Sequence, residues 1–293
     1  SLIKQGCAFD LSLFYYKTRK GGMKEMNSEK SVQEKLDVIR KFTLMDDVFF
    51  EVFAQDKLAV QEMLRVILNE PNLTIVEVTT QDAIPNLYGR SVRLDAVCRL
   101  GDGRIVNVEI QNSDNDNHVN RAGFNAAHII VRESQKGIKF EDLPHVISVY
   151  IMKFDFFGLG KLVYHANLVL KESGKKLDNN VEYIFINATA YDGTKLAKLV
   201  RLMQLKEVDD PEFPEITRQV NRLKHDKKGV QQMCELMEKL QEKSKKEGRI
   251  EVFLTALKNG TSLEQLPLLG ATEEEIKQCD EMLNRNADRK SVV

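Results

Sequence analysis

The sequence feature that most constrains the fold is a glycine-containing hairpin over residues 92–111. Its first strand carries Asp95, its second strand carries Glu109, and residues 101–103 read Gly-Asp-Gly between them. Strand side chains alternate between the two faces of a sheet, so the turn decides whether the two acids share a face. A two-residue turn places Asp95 opposite Ile110, whereas a three-residue turn that ends in a left-handed glycine places it opposite Glu109.

Hydrophobic alternation favours the three-residue turn, because only that register aligns the apolar stripes of the two strands. The stripes are Val92, Leu94, Ala96 and Cys98 on the first strand and Val106, Val108 and Ile110 on the second. Asp95 and Glu109 then share a polar face, and like charges directly opposite each other destabilise a strand pair. A bound cation would relieve this repulsion, so a metal site is the first hypothesis. The alternative is an exposed strand face that simply carries charges.

Composition excludes several classes of protein. A chain of 293 residues with a net charge of −1 can form one large domain or a domain with an appendage, and it carries no global basic field for nucleic acid. Four widely spaced cysteines indicate reduced thiols in a cytoplasmic protein. No apolar run approaches the roughly 20 residues that cross a bilayer, which predicts no membrane partner. The five histidines show no metal-ligand spacing.

The order of predicted elements is helix, sheet, helix, sheet, helix, which is typical of an α/β core followed by a helical tail. The predicted helices cover residues 31–69 (with a second helix at 57–68), 117–135 and 195–205, and the predicted strands cover 74–80, 92–111, 146–151, 161–172 and 181–187. We therefore predict a core domain at 31–208, a helical C-terminal region at 209–293 and an N-terminal extension at 1–30. The chain begins with Ser and its first 22 residues differ from the rest, so we hypothesise a natural start at Met23 or Met26.

An ordered set of segments resembles the bacterial recombination-promoting nuclease and transposase group of the PD-(D/E)XK nuclease superfamily. The segments are Met45–Phe50, Ile84–Asp95, Val108–Gln111, Asn120–Asn125 and Leu143–Pro144. The resemblance runs from about Thr43 to Met237. It implies a restriction-endonuclease-like fold with a mixed central sheet flanked by helices, and a Mg²⁺- or Mn²⁺-dependent DNA endonuclease.

The resemblance also implies roles for individual residues. Asp95 and Glu109 resemble the metal-binding acids, and Gln111 stands where many superfamily members carry a lysine. Arg121 matches a family arginine suited to a phosphate, and either Asp46 or Asp47 is expected to complete the metal site. Asn125 and His128 follow Arg121 at helical spacing and can line the same groove.

Each of these residues has a structural alternative. Arg121 can pair with Asp114 or Asp116 on the surface, and the Asp46-Asp47 pair can favour a helix start through the helix dipole. Phe124 stands where this group often has Tyr, so any role of that hydroxyl is lost.

The function predicted from the sequence is DNA cleavage, and the alternative is a degenerate nuclease fold that binds DNA or protein without cutting. The tail offers a second signal, since a helix ending at Asn259-Gly260, a short segment to Leu269 and a capped helix from Thr272 resemble a small helix-turn-helix. This tail is equally compatible with homodimerisation or with packing. Its basic run at residues 243–249 can contact phosphates or form a solvated face.

Overall fold

A computed structural model describes residues 26–85, 91–134 and 136–290. The chain divides into two compact units between Met233 and Cys234. The first unit is built around a six-stranded mixed sheet, and the second is helical. None of the helices in the described part of the chain combines the length and hydropathy that a bilayer crossing requires.

The helices are α1 (Met26–Lys41), α2 (Asp47–Phe53), α3 (Lys57–Ile67), α4 (His118–Glu133), α5 (Lys195–Leu202), α6 (Pro214–His225), α7 (Lys227–Lys258) and α8 (Glu273–Lys290), with 3₁₀ turns at Phe140–Asp142 and Leu263–Leu269. The strands are β1 (Ile75–Ile84), β2 (Val92–Leu100), β3 (Ile105–Gln111), β4 (Val146–Met152), β5 (Val163–Ala166), β6 (Val169–Leu170), β7 (Lys175–Lys176) and β8 (Val181–Asn187).

The central sheet has the strand order β1-β2-β3-β4-β8-β5. Strands β1, β2 and β3 pair antiparallel, β3, β4 and β8 pair parallel, and β5 returns antiparallel along β8. Every residue of β3 and β4 is buried, as expected for strands covered on both faces. The predicted fold class, a mixed sheet flanked by helices with a helical C-terminal extension, is confirmed.

The predicted strand at 181–187 is confirmed as β8, whereas the predicted strand at 161–172 is wrong. Only Val163–Ala166 joins the central sheet, while the turn at Gly174 closes a separate ribbon formed by β6 and β7. The chain pairs with β8 over only four residues and then leaves the sheet edge to form the ribbon, where Leu177 N donates to Leu168 O at 2.9 Å.

Helix α4 lies across the sheet face that carries Glu109. It begins at Asn117, whose side chain accepts a hydrogen bond from Asn120 N at 3.0 Å and satisfies one of the free N–H groups of the first turn. Its buried stripe of Ala122, Asn125, Ala126 and Ile129 keeps helical spacing. Small residues in this stripe let the helix approach the sheet closely, which brings its first turn near the end of β3.

A buried lysine ties the helical layer together. Lys224, on α6, is almost fully buried, and its Nζ donates hydrogen bonds to the carbonyl oxygens of Phe42 (2.6 Å), Arg40 (3.2 Å) and Lys206. The same ammonium lies 5.3 Å from the centre of the Phe49 ring. Burial lowers the pKa of Lys224. This one side chain therefore donates hydrogen bonds to carbonyl oxygens at the end of α1 and in two loops.

The second unit has a core of its own, formed by Ile250, Phe253, Leu266 and Cys279. Its last helix starts with a capping box, in which Thr272 Oγ1 accepts a hydrogen bond from Glu275 N, and Glu275 Oε2 accepts one from Thr272 N. The separate helix predicted to end at Asn259-Gly260 is the last part of α7, and the middle segment is a 3₁₀ turn that contains Pro267.

The basic run of the second unit is balanced by acids of the same unit. Lys246 Nζ lies 2.7 Å from Glu274, and Arg249 Nε lies 2.7 Å from Glu275. The Arg249 guanidinium lowers the pKa of Glu275 to about 2. These pairs favour a packing role for residues 243–249, and the predicted contacts with DNA or a second copy stay predictions.

One prediction concerns residues that the structure does not describe. The N-terminal extension predicted at 1–30 falls largely on residues 1–25, which lie outside the described residues. The predicted domain boundary at residue 209 also stays a prediction, while the compact units divide after Met233.

Replacing Lys224 by Met is expected to lower the free energy of unfolding by about 2–4 kcal/mol, because buried carbonyl oxygens would lose their donor. Urea denaturation followed by circular dichroism measures this loss. Lys198→Met, which removes an exposed lysine paired with Glu212, is the matched control and should change stability by no more than about 0.5 kcal/mol. Equal effects of the two substitutions would contradict the role assigned to Lys224.

Candidate active site

The hairpin turn places Asp95 and Glu109 opposite each other. Ala96 pairs with Val108, and Leu100 N donates to Arg104 O at 2.8 Å, which is the register of the three-residue turn. Gly103 has a φ of 91°, the left-handed conformation that this turn requires. The register that we favoured from the hydrophobic alternation is confirmed.

Each acid also accepts a hydrogen bond from the backbone of the other strand. Asp95 Oδ2 accepts from Ile110 N at 3.1 Å, and Glu109 Oε1 accepts from Asp95 N at 3.4 Å. Asp95 is 6% exposed and Glu109 is 0% exposed. The alternative of an exposed, charged strand face is therefore wrong, because α4 covers the polar stripe of β3.

Arg121, on the first turns of α4, supplies a positive charge to this buried face. Its Nη2 lies 3.5 Å from Glu109 Oε2, and its Nη1 donates to Gln111 Oε1 at 3.3 Å. Burying a carboxylate is costly unless it is paired and hydrogen-bonded, and Arg121 meets part of that cost. Among the described residues, Arg121 thus pairs with Glu109, and not with Asp114 or Asp116 as in the surface alternative.

The structure adds Asn107 and Tyr150, which the sequence analysis did not assign, and it buries Asn125, which was expected to line a groove. Asn107 Nδ2 donates to Glu109 Oε1 at 3.3 Å, and Asn125 Nδ2 donates to the hydroxyl of Tyr150 at 2.9 Å. Tyr150 is the parallel-strand partner of Glu109. Burial, followed by the nearby charge of Glu109, raises the pKa of Tyr150 well above its ordinary value, so this phenol stays protonated.

The only sequence signals for these residues were weak. Asn107 shares the parity of Glu109 on the same strand, and Asn125 lies one turn after Arg121 on the helix. Tyr150 could not be found, because a parallel register is not encoded in local sequence.

Two buried oxygens beneath the acids have no hydrogen-bond partner among the described residues. They are Asn107 Oδ1 and Ser148 Oγ, and their residues are register partners on β3 and β4. Buried polar groups of this kind are commonly bridged by ordered water. The polar residues on this face of the sheet therefore extend from the two carboxylates to Asn107 and Ser148.

The donor set fits a hard divalent cation. Asp95, Glu109 and Gln111 offer carboxylate and amide oxygens, which Mg²⁺ prefers, and Mg²⁺ in proteins is often held by one or two carboxylates together with several waters. Within the described ranges, no group of three His, Cys, Asp or Glu side chains could hold a metal ion. The protein itself thus brings two acids together at this site.

The structure does not bring Asp46 or Asp47 into a three-acid group with this pair. Asp46 Oδ2 accepts hydrogen bonds from Thr43 N at 2.7 Å and from Thr43 Oγ1 at 2.8 Å. Asp46 precedes α2, and Asp47 lies in its first turn, where a negative charge is favourable. The metal-binding role of either residue stays a prediction.

His118 lies behind Arg121, at the start of α4. Its ring is fully buried and lies 5.3 Å from the ring centres of both Phe154 and Phe156. Burial lowers the pKa of His118. The imidazole is therefore neutral near pH 7 and serves to pack the helix start against the loop after β4. His128 lies farther along α4, where its Nδ1 is 2.9 Å from the carbonyl oxygen of Phe124.

Comparison with known proteins gives one match. The family described as PD-(D/E)XK nuclease family transposase matches residues 43–206, which is more than half of the chain and includes the whole hairpin and α4. No curated protein matches the chain, and no solved structure matches it.

We expect the Arg121–Glu109 pair to show coupling in a double-mutant cycle. Arg121→Gln alone should lower the free energy of unfolding by about 1–3 kcal/mol, because it leaves the buried carboxylate without its cation. In the double variant Arg121→Gln/Glu109→Gln that carboxylate is gone, so the loss should be smaller than the sum of the two single losses. Urea denaturation of all four proteins gives the coupling energy, and strict additivity would contradict the pairing.

Stability should also fall with acid through His118. The folded-state pKa of His118 lies below that of the unfolded chain, so the unfolded chain binds the proton first as the pH falls through about 6.5. The free energy of unfolding should therefore decrease from pH 7 to pH 5, and the decrease should be smaller in His118→Phe. Thermal or urea unfolding at several pH values tests this, and an unchanged pH dependence in the variant would contradict it.

Proposed function

The chain belongs to the PD-(D/E)XK nuclease family transposases, and on that premise we propose that it is a metal-dependent endonuclease that hydrolyses DNA phosphodiester bonds. The observation that carries the proposal is the pair of buried carboxylates, Asp95 and Glu109, with Arg121 beside them. A fold gains little stability from two acids on one buried face, so a ligand explains their presence there better than packing does.

In this proposal Asp95 and Glu109 hold Mg²⁺ or Mn²⁺. When bound, such an ion supplies a lowered pKa for a coordinated water and neutralises charge that develops on the phosphate. We extend the proposal to an upstream acid, Asp46 or Asp47, as a further ligand; Asp46 directly precedes α2 and Asp47 is its first residue. The segment before α2 is anchored at the end of β3, because Asn112 Nδ2 donates to Met45 O at 2.7 Å.

Gln111 and Arg121 act on the substrate. The Gln111 amide can orient an attacking water by hydrogen bonds, although it lacks the positive charge of a lysine. The Arg121 guanidinium can bind a non-bridging phosphate oxygen by a charge-assisted hydrogen bond. The water oxygen then bonds to phosphorus and releases a proton to solvent, the bond from phosphorus to the leaving deoxyribose oxygen breaks, and that oxygen takes up a proton.

Tyr150 and Asn125 support the acids from below. The neutral phenol beside Glu109, held by the Asn125 amide, keeps a polar but uncharged group in the helix–sheet interface. In the proposal these two side chains line the interface next to Glu109 and take no part in the chemical step.

Plasmid cleavage with Mg²⁺ or Mn²⁺ tests the proposal. Wild-type protein should nick or linearise the plasmid, and Asp95→Asn or Glu109→Gln should lower the rate by roughly 10²-fold or more, since each removes a ligand charge. Asp102→Asn is the matched control, because this acid lies on the same hairpin in the exposed turn and should keep wild-type activity.

Calorimetric titration of the same proteins with Mn²⁺ supplies an independent readout. Wild type should bind the ion, and the Asp95→Asn/Glu109→Gln variant should not. DNA binding by wild type without metal binding and without cleavage would overturn the nuclease proposal in favour of a degenerate, DNA-binding member of the family.

A further inference from the structure

An exposed ring pair lies on α4 one turn beyond the candidate active site. Phe124 is 38% exposed, and its ring centre lies 4.2 Å from that of His128. The two ring planes are inclined by 53°. A single exposed apolar side chain is common on protein surfaces, so it is the position of this pair that calls for an explanation.

That position follows from helical spacing. Arg121, Phe124 and His128 are separated by three and four residues, so they are neighbours along one face of α4. Arg121 reaches down from this face to Glu109 and Gln111, whereas the Phe124 ring remains accessible. The ring pair therefore lies next to Arg121, the phosphate-binding residue of the proposed site, on the C-terminal side along α4.

A second cation borders the same sheet face. Arg93 is two residues before Asp95 on β2, so both side chains project from one face of the strand, and Arg93 is exposed. No ion pair of Arg93 is formed with any residue that the structure describes. Arg93 and Arg121 thus add two positive charges near the carboxylates, and positive charge is what the phosphates of a DNA strand require.

We propose that the Phe124–His128 ring pair stacks an unpaired base next to the phosphate held at Arg121. This inference rests on the proposed function and names its substrate class: single-stranded DNA, or duplex DNA with a locally unpaired nucleotide. Successive nucleotides of a stacked strand are about 3.4 Å apart, and one helical turn rises about 5.4 Å. A base adjacent to the bound phosphate therefore reaches the rings, and aromatic stacking accepts any base.

Binding measured in EDTA tests the stacking site without cleavage. The probe is a short single-stranded DNA oligonucleotide that carries 2-aminopurine, whose fluorescence is quenched when it stacks. Wild-type protein should bind and quench it. Phe124→Ala should weaken binding about tenfold and reduce the quenching, which is the usual effect of removing a stacking ring.

Three further variants separate stacking from other effects. Phe124→Trp keeps an aromatic ring and should bind at least as well as wild type, whereas Phe124→Leu keeps apolar area without a ring and should lose as much as Phe124→Ala. Val131→Ala, on the same helix at a residue that is 72% exposed, should bind like wild type. Circular dichroism melting curves confirm that each variant is folded.

The inference is overturned if Phe124→Ala or Phe124→Leu binds the single strand as tightly as wild type. It is also overturned if the same variants weaken binding to a fully paired duplex by an equal factor. If wild-type protein binds the probe and quenches its fluorescence but never cuts DNA, the nuclease proposal is overturned and the stacking site is retained. If wild-type protein cuts DNA but its Phe124→Ala variant binds the probe normally, the stacking site is overturned and the nuclease proposal is retained.

Discussion

The constraint on which the candidate site depends is the burial of a carboxylate, Glu109, within a helix–sheet interface. A fully buried charge is tolerated only when hydrogen bonds and an opposite charge replace the water it has lost. Glu109 obtains these from the Asp95 backbone, the Asn107 amide and the Arg121 guanidinium. The close approach of α4, the small residues of its inner stripe and the register of the hairpin all serve that one requirement.

The first unit also contains a buried positive charge, the ammonium of Lys224, which likewise needs groups to replace its lost water. Lys224 is buried among backbone carbonyls and beside the Phe49 ring, and the charges of Glu207 and Asp46 also favour its ammonium. Glu109 is instead met by a single arginine side chain, whose Nη2 lies 3.5 Å from its carboxylate. The carbonyl cage of Lys224 is suited to holding structure, whereas in the proposed function the surroundings of Glu109 would admit a divalent cation.

Much of the fold and half of the site could be predicted from the sequence, for identifiable reasons. The hairpin register was predictable because the turn glycine and the alternation of two strands are local signals. Local signals did not reveal that α4 buries the polar stripe, that Tyr150 pairs with Glu109, or that α7 is continuous, since these depend on packing between distant segments. Local signals likewise did not show that the strand predicted at 161–172 pairs with β8 over only four residues. The upstream acid was left open by the sequence, and the structure keeps both candidates apart from the pair.

The cysteines of the chain have a practical consequence. Cys98 lies within β2, where burial raises the pKa of its thiol to about 12, and Cys279 lies in the core of the second unit, where burial also raises the thiol pKa. Alkylating reagents react with accessible thiolates and not with buried, protonated thiols. Each unit therefore contains a buried cysteine that becomes reactive only when the structure around it opens. Alkylation rates at Cys98 and Cys279, followed by mass spectrometry, would report how often the sheet and the helical unit open, without any introduced label.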